Sequence, residues 1–503
     1  MNLLDKKQEQ LVLVEWCGGD NVENQGNSIP EIFSIQVERN LEKCALSDGA
    51  RALSYHQLDQ EIEKLCTALR VSGVKEGAIV AICLERSIAA VTVIYALHRL
   101  GAAYVPIDPS YPKGRMAFMM EESKAVAVIT DEKNADQFKN ANCVLLLDIN
   151  KTELISVIGE LQPEVEFKNG AYILFTSGST GKPKGVQISQ PNLVHSNQNR
   201  FSFYDEVPER FLLLPSFSFD SSVAGLFWPL CGGGSLFVPP HGIEHDINAL
   251  ANFISENKIT STLILPSLYA LLLEHAKASD LLTLKTVIVA GEACTPKLVD
   301  VHYLKLPNCK LYNEYGPTEA SVWSTACLLK QGDKKVPIGR PLNNAQVYLL
   351  NSALQPVLPG HVGELYIGGK GLSNGYINRP QENNSFVGNP NNRNERMYRT
   401  GDLARFDSNG NLLFVGRKDQ QVKINGKRVE LQEISTSIAT VASVEQAHVL
   451  YQEVELNSMQ DSEEELTAER FFTLSPSKSV EILQQIQAYG PEELNALLAN
   501  LEE

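Results

Sequence analysis

The run Leu174-Phe175-Thr176-Ser177-Gly178-Ser179-Thr180-Gly181-Lys182-Pro183-Lys184-Gly185-Val186 constrains this chain more than any other stretch. It packs four hydroxyls, three glycines and two lysines into thirteen residues. The apolar run Ala171-Tyr172-Ile173-Leu174-Phe175 leads into it, and Gly185-Val186-Gln187-Ile188-Ser189 alternates like a strand on the far side. Such a loop can wrap polyphosphate, because glycines let backbone N–H groups turn inward, hydroxyls donate and lysines offset charge. A plain Gly/Ser surface turn is the competing reading, and the density of donors and cations favours phosphate. Two nucleotide motifs are excluded. A Walker loop needs Lys-Ser/Thr opening a helix, whereas Lys182 is followed by Pro183, and no G-x-G-x-x-G is present at the loop. The expectation is a strand–loop–strand phosphate site.

The length of 503 residues exceeds the usual limit of one hydrophobic core, so at least two packed units are expected. The formal charge of −16 and the lack of a basic stripe argue against nucleic acid or an anionic membrane as partner. The first residues lack the apolar core of a signal peptide, and the most apolar region, Ile88 to Ala103, is broken by His98 and Arg99. Nine cysteines without C-x-x-C spacing read as buried thiols in a reducing cytoplasm. His241 and His245 follow Pro239-Pro240, so a helix aligning them on a metal is not expected.

Periodicity predicts an N-terminal segment with one helix, Pro30 through Leu41, and then an amphipathic helix, Leu58 to Val71. Strands are expected at 79–84, 104–109 and 125–130, with helices at 88–100 and 113–123 between them. After the loop, apolar strands at 211–214, 234–238, 261–265 and 286–290 repeat the pattern. Alternation of this kind predicts an α/β fold with two mainly parallel sheets flanked by helices. From Gln346 the texture shifts to short strands with Gly and Pro turns, a small β-rich part spanning about 345–415. The expected organisation is a core over 1–418, a short incomplete α+β segment over 419–454, and an acidic linker with two short helices over 455–503.

Four further stretches accompany the loop: 101–109 (GAAYVPIDP), 313–319 (NEYGPTE), 398–402 (YRTGD) and 416–424 (GRKDQQVKI). Together the five strongly resemble the adenylate-forming superfamily, and within it the amino-acid adenylation domains of nonribosomal peptide synthetases, in order and spacing over residues about 30 to 450. The resemblance implies ATP-dependent activation of an amino acid as its aminoacyl-AMP, with release of pyrophosphate and loading onto a carrier-protein phosphopantetheine thiol. It implies that Thr176, Ser177, Gly178, Ser179, Thr180, Gly181 and Lys184 hold the β- and γ-phosphates. Asn313, Glu314, Tyr315, Asp402, Phe414 and Arg417 would bind the nucleotide, with Tyr315 a face for adenine, Asp402 on the ribose hydroxyls and Arg417 on ribose or phosphate, while Thr318 would meet the α-phosphate and Glu319 would bind Mg²⁺. Lys423 would belong to the thioester-forming face.

The same resemblance assigns the amino-acid pocket. Phe219 and Asp220 open it, with Asp220 on the substrate ammonium, and Ser221, Ala224, Ile264, Ile288, Ala290, Glu314, Val322 and Trp323 form the wall. A buried carboxylate beside an amine needs that partner, so Asp220 points to an α-amino acid. A helix N-cap is the alternative role for Asp220, and both roles stay open. The wall suggests a medium-to-large apolar or aromatic side chain, with Glu314 as the one polar anchor for a cationic or hydroxylated tip.

The chain departs from the family after about Val454, where the later strand motif and the Gly-Lys motif are not found. A fragment of a larger synthetase interrupted near 455, a reduced stand-alone subdomain and a catalytically weak binding module all fit that departure. An acyl- or aryl-CoA ligase shares every nucleotide motif and is disfavoured by Asp220. Besides the carrier protein, other synthetase domains or a small accessory protein are the expected partners.

Overall fold

The computed structural model describes residues 4–22, 28–161, 167–177, 182–379, 382–390, 392, 394–419, 421–424, 427–431, 434 and 449. The chain divides into two compact units, Met1–Thr176 with Lys184–Asp419, and Ser177–Pro183 with Gln420–Glu503.

Among the described residues of the first unit, strands form sheets of seven, nine and five. The seven-stranded sheet has a parallel centre in Ile79–Cys83, Ala103–Pro106 and Ala127–Thr130. Antiparallel pairs close both its edges, Cys143–Asp148 with Glu153–Gly159 and Gly170–Thr176 with Lys184–Ser189. The nine-stranded sheet is parallel from Cys44–Ser47 through Ser235–Phe237, Arg210–Leu213, Ser261–Ile264 and Thr286–Ala290 to Lys310–Tyr315, and antiparallel at both ends. Every residue of Ile79–Cys83 is buried, which explains its unbroken apolar run, as helices cover both faces of parallel strands. The five-stranded antiparallel sheet spans Ala345–Leu350 to Leu412–Arg417. The α/β expectation of two mainly parallel sheets with a small β part therefore describes the fold.

Helices follow the apolar periodicity, and several start on side-chain caps. Tyr55–Val71 begins at Ser54, whose hydroxyl accepts from the Gln57 N–H while Gln57 reaches back, and it buries Leu58, Ile62, Leu65 and Leu69. Lys113–Ser123 ends at Lys124 in the left-handed region. Phe33, Tyr55, Tyr95 and Phe227 form one chain of ring contacts in the core beneath the first helices.

Three expectations change. The N-terminal segment holds Lys6–Gln10 and a π-helical turn, Leu11–Glu15, in addition to the helix at Ile29–Arg39. The strand expected over 104–109 stops at Pro106, and Asp108 instead accepts from the N–H and hydroxyl of Ser110 in a tight turn. The Cys143–Asp148 and Glu153–Gly159 pair lay outside the expected elements. No disulfide joins the nine cysteines, all free, and six are buried and three half-buried. His245 ends a 3₁₀ turn, Ile243–His245, and His241 precedes it; no cluster of metal-ligating side chains occurs among the described residues.

The second unit contains an antiparallel hairpin, Gln421–Ile424 with Lys427–Glu430, in which Lys423 stands in register with Arg428. Most of the 419–454 segment, and all of the linker and helices expected over 455–503, fall outside the described residues.

Candidate active site

The strand–loop–strand expectation holds for the two strands: Gly170–Thr176 and Lys184–Ser189 run antiparallel, with Thr176 in register with Lys184. Gly178, Ser179, Thr180 and Gly181 lie outside the described residues. The edge of the second strand is covered by backbone, since Gln187 N–H donates to Gly375 C=O at 2.9 Å and Ile377 N–H to Gly185 C=O at 2.9 Å. This brings Tyr376 to the site. The Lys184 ammonium sits 5.5 Å from the centre of its ring, and its hydroxyl donates to Glu319 Oε1 at 2.6 Å. Tyr376 thus ties the strand-borne cation to the carboxylate, and no motif in the sequence marked it.

Asn313-Glu314-Tyr315 continues a strand whose successive side chains alternate between faces. Tyr312 belongs to the large core shared with Ile288 and Trp323, whereas Tyr315 packs in the core of the five-stranded sheet with Ile338, Val347 and Leu412. On Tyr315's side, its hydroxyl donates to Asp402 Oδ2, and Arg417 Nη1 donates to Asp402 Oδ1 at 2.6 Å. Burial, and then the Asp402 charge, hold the Tyr315 phenol well above its ordinary pKa, so it remains a donor. Phe414, 39% exposed, stands 6.5 Å from the Tyr315 ring at 39°, the open side of an aromatic pair. Asn313 is otherwise engaged: its amide donates to Pro337 C=O at 2.8 Å.

Gly316 turns the chain because it has no Cβ, which would lie 2.5 Å from Trp323 Cα. Beyond Thr318–Ala320, Ser321 and Val322 both take positive φ, 60° and 81°. For a β-branched residue this is a strained conformation of the kind concentrated at functional sites. Ser321 Oγ donates to Gly371 C=O at 2.6 Å and the Trp323 indole to Ser196 C=O at 3.2 Å, fixing the turn.

At this turn Thr318 Oγ1 donates to Asp220 Oδ2 at 2.7 Å. Asp220 stands at the N-cap position of Ser221–Cys231, yet its backbone is already helical and its side chain makes no capping hydrogen bond. Of the two roles open to Asp220, capping is therefore not the one its carboxylate performs. Ala224, Ile288, Val322 and Trp323 share one buried cluster with Ala290 against it. Phe219 and Ser221 flank Asp220 at the rim, half-buried or nearly so.

Two of the residues expected in the wall are packed or paired in ways the sequence did not show. Ile264 belongs with Val287 and Val289 in the core of the opposite sheet face, while Leu263, in register with Ile288, joins the cluster on the pocket side. Glu314 does not present a spare carboxylate. Arg200 donates to both its oxygens, at 2.6 and 3.0 Å, and the Tyr204 hydroxyl donates to Oε1. Arg200 and Glu314 side chains are each 2% exposed. Neither Arg200 nor Tyr204 was among the expected residues, although a lone acid in an apolar wall is itself a signal that a buried cation must exist.

With these positions in place, the comparison with known proteins is specific. The AMP-binding enzyme family matches residues 33–377. The chain belongs to this family. Among its relatives, gramicidin S synthase 2 of Aneurinibacillus migulanus is 36% identical over 463 residues, 90% of this chain and 10% of that protein. The chain thus spans a small part of such synthetases. A fused adenylation–PCP di-domain, NpsA-ThdA from Klebsiella oxytoca, superposes with a TM-score of 0.73 at 26% identity, covering 85% of this chain and 86% of that one. A four-domain nonribosomal peptide synthetase bound to AMP and glycine superposes with a TM-score of 0.73 at 28% identity, covering 91% of this chain and 34% of that one.

For a member of the AMP-binding enzyme family, the residues present suit a nucleotide. An aromatic face, a buried carboxylate with an arginine, and a hydroxyl at a strained turn occupy one region of the first unit. A magnesium ion fits the donor set in one way. Glu319 is a carboxylate only 1% exposed, and its Oε1 accepts from the Tyr376 hydroxyl. That suits Mg²⁺ held by one carboxylate and the phosphates of its nucleotide. When bound, the ion would offset phosphate charge.

Proposed function

We propose that this chain activates an α-amino acid with ATP, forming an aminoacyl-adenylate and pyrophosphate, and passes the aminoacyl group to the phosphopantetheine thiol of a carrier protein. The observation that carries this reading is the Asp220–Thr318 hydrogen bond, which sets a carboxylate suited to an ammonium beside a hydroxyl suited to the α-phosphate.

In this reading Asp220 anchors the substrate ammonium, which turns the substrate carboxylate toward Thr318. Tyr315 and Phe414 hold adenine, and Asp402, fixed by Arg417 and the Tyr315 hydroxyl, accepts from the ribose. A carboxylate oxygen attacks the α-phosphorus as the bond to the pyrophosphate oxygen breaks, and positioning supplies much of the acceleration. Thr176 and Lys184 would receive the leaving pyrophosphate, the role the resemblance also gives to Ser177–Gly181, and Glu319, oriented by Tyr376, would hold a magnesium ion. Thiol attack on the acyl carbonyl then forms the thioester and releases AMP, with Lys423 on the face used for that step. The domain division at about residue 418, and the part played by residues 455–503, belong to the same proposal.

The relatives support an amino acid and a carrier protein, since one structure holds AMP with glycine and another joins an adenylation domain to a PCP. Acid-dependent exchange of labelled pyrophosphate into ATP tests the reading, run over a panel of amino, keto, aryl and fatty acids. Exchange with one amino acid, lost in Asp220→Ala, is expected. Exchange with aryl or fatty acids alone would replace it with an acyl- or aryl-CoA ligase. ATP binding without exchange for any acid would favour a silent binding module.

A further inference from the structure

Glu314 is placed on the amino-acid wall, yet its charge is already balanced. Two N–H groups of Arg200 reach its two oxygens at 2.6 and 3.0 Å, and the Tyr204 hydroxyl adds a third contact. Three aromatic rings enclose the group. The Arg200 guanidinium carbon lies 4.3 Å from the Trp323 ring centre and 5.7 Å from that of Trp228, and Tyr204 stacks on Trp323 at 5.9 Å and 15°. Burial, and then the Glu314 charge, push the Tyr204 phenol well above its ordinary pKa, so it stays a donor.

The Ser221–Cys231 helix connects this group to the ammonium site. Asp220, Ala224 and Trp228 are spaced by four residues and share one helix face. At 1.5 Å per residue, Trp228 lies about 12 Å along the axis from Asp220. Its ring is 4.6 Å from that of Tyr204. The face therefore runs from the carboxylate for the ammonium, past the small Ala224, to the arginine–glutamate pair. A long side chain held at Asp220 would end there.

Hydrogen-bonding capacity remains at that end. A carboxylate has roughly four acceptor sites and a guanidinium five N–H groups, and the pair with Tyr204 uses only part of each. The Trp228 indole N–H, in a residue 1% exposed, has no hydrogen-bond partner among the described residues. A buried unpaired donor carries a penalty that a ligand acceptor would remove. A third formal charge, by contrast, would enter a dry site whose charges already cancel.

We propose that Arg200 is a specificity-determining residue: with Glu314 and Tyr204 it forms a charge-neutral polar floor that selects a long, uncharged side chain with a hydrogen-bonding tip, such as a phenol or carboxamide, over cationic and anionic ones. This rests on the amino-acid-activating reading above. It also replaces the simpler expectation that Glu314 anchors a cation, because the protein supplies that cation itself.

Non-hydrolysable aminoacyl-sulfamoyl adenosines carrying tyrosyl, glutaminyl, leucyl, lysyl and glutamyl groups test this by calorimetric titration of the full chain, independently of turnover. The tyrosyl or glutaminyl compound should bind at least tenfold more tightly than the lysyl and glutamyl ones. Arg200→Met should reverse the order for lysyl against the neutral compounds, by tenfold or more, because Glu314 then lacks its partner. Since a single buried charge could prevent folding, Arg200→Met/Glu314→Leu provides a neutral floor, and there the leucyl compound should overtake glutaminyl. Wild-type preference for lysyl, glutamyl or leucyl, or an unchanged ranking in folded variants, overturns the proposal alone. Binding of none of the five by the wild type, while ATP still binds, removes the amino-acid reading and this inference with it.

Discussion

Thr318 donates to the carboxylate of Asp220 at 2.7 Å, across 98 residues of sequence. The two belong to different elements, one at a strained turn after the Lys310–Tyr315 strand and the other at the head of the Ser221–Cys231 helix. The bond joins the group assigned to the ammonium with the group assigned to the α-phosphate, so damage to either should be felt by both substrates. Thr318→Val keeps the shape and removes the hydroxyl. It is expected to lower kcat/KM for amino acid and for ATP by about tenfold, the worth of one hydrogen bond near a charge. Pyrophosphate exchange at varied concentrations of each substrate checks this. A change confined to the ATP KM would sink the coupling.

Arg417 and Tyr315 occupy one oxygen each of Asp402, a residue 5% exposed. Arg417→Met leaves that carboxylate in place without its cation. ATP affinity is expected to fall roughly 10- to 100-fold, following the 1.5–3 kcal/mol of a charged hydrogen bond, with Tyr315→Phe milder. Direct titration with ATP separates this from effects on the amino acid, whose affinity should stay within about twofold. Equal loss for both ligands would instead mean that Arg417 holds the fold.

Much of this arrangement was legible in the sequence, for identifiable reasons. Lys113–Ser123 matches its expected span because a proline precedes it and an apolar strand follows. The Glu153–Gly159 strand escaped because it is an edge strand with mostly exposed side chains, entered through a turn where Thr152 takes a φ of 58°. Threonine gives no sign of a left-handed turn, as glycine or asparagine would. Leu263 and Ile264 pack in different clusters because in a strand one residue exchanges the faces, a phase that an unbroken apolar run does not reveal. The Arg200–Glu314 pair joins residues 114 apart and leaves no local pattern at all.

Gly316 offers a stability test of the turn itself. A Cβ there would meet Trp323 Cα at 2.5 Å and Val322 C=O at 2.7 Å, both backbone atoms that cannot rotate away. Gly316→Ala is therefore expected to lose about 1–3 kcal/mol, the usual range for overpacking. Thermal unfolding should show a lower midpoint, and activity should fall more than stability does. A midpoint equal to the wild type would mean that the turn is looser than its packing indicates.

Two buried histidines give the fold a specific pH dependence. Burial lowers His98 to about 3 and His195 to about 4, with the Lys370 charge a further cause for the latter. His98 pairs with the Gln190 amide and lies 5.2 Å from the Phe227 ring and 5.6 Å from that of Tyr104, surroundings with no place for a second proton. An unfolded histidine takes up its proton near pH 6.5, whereas these two resist it in the folded chain until far lower pH. Their contribution to stability is thus full above about 6.5 and is lost progressively as pH falls toward 4 and 3. Each group can contribute up to about 1.4 kcal/mol per pH unit in that window. His98→Gln cannot take up the proton in either state. It should lower stability at pH 7.5, through altered packing, yet flatten the decline between pH 7 and pH 5 by about 2 kcal/mol. Urea midpoints of both proteins at pH 7.5, 6 and 5 measure the difference. Parallel declines would show that His98 is protonated in the folded chain at mildly acidic pH, against its burial.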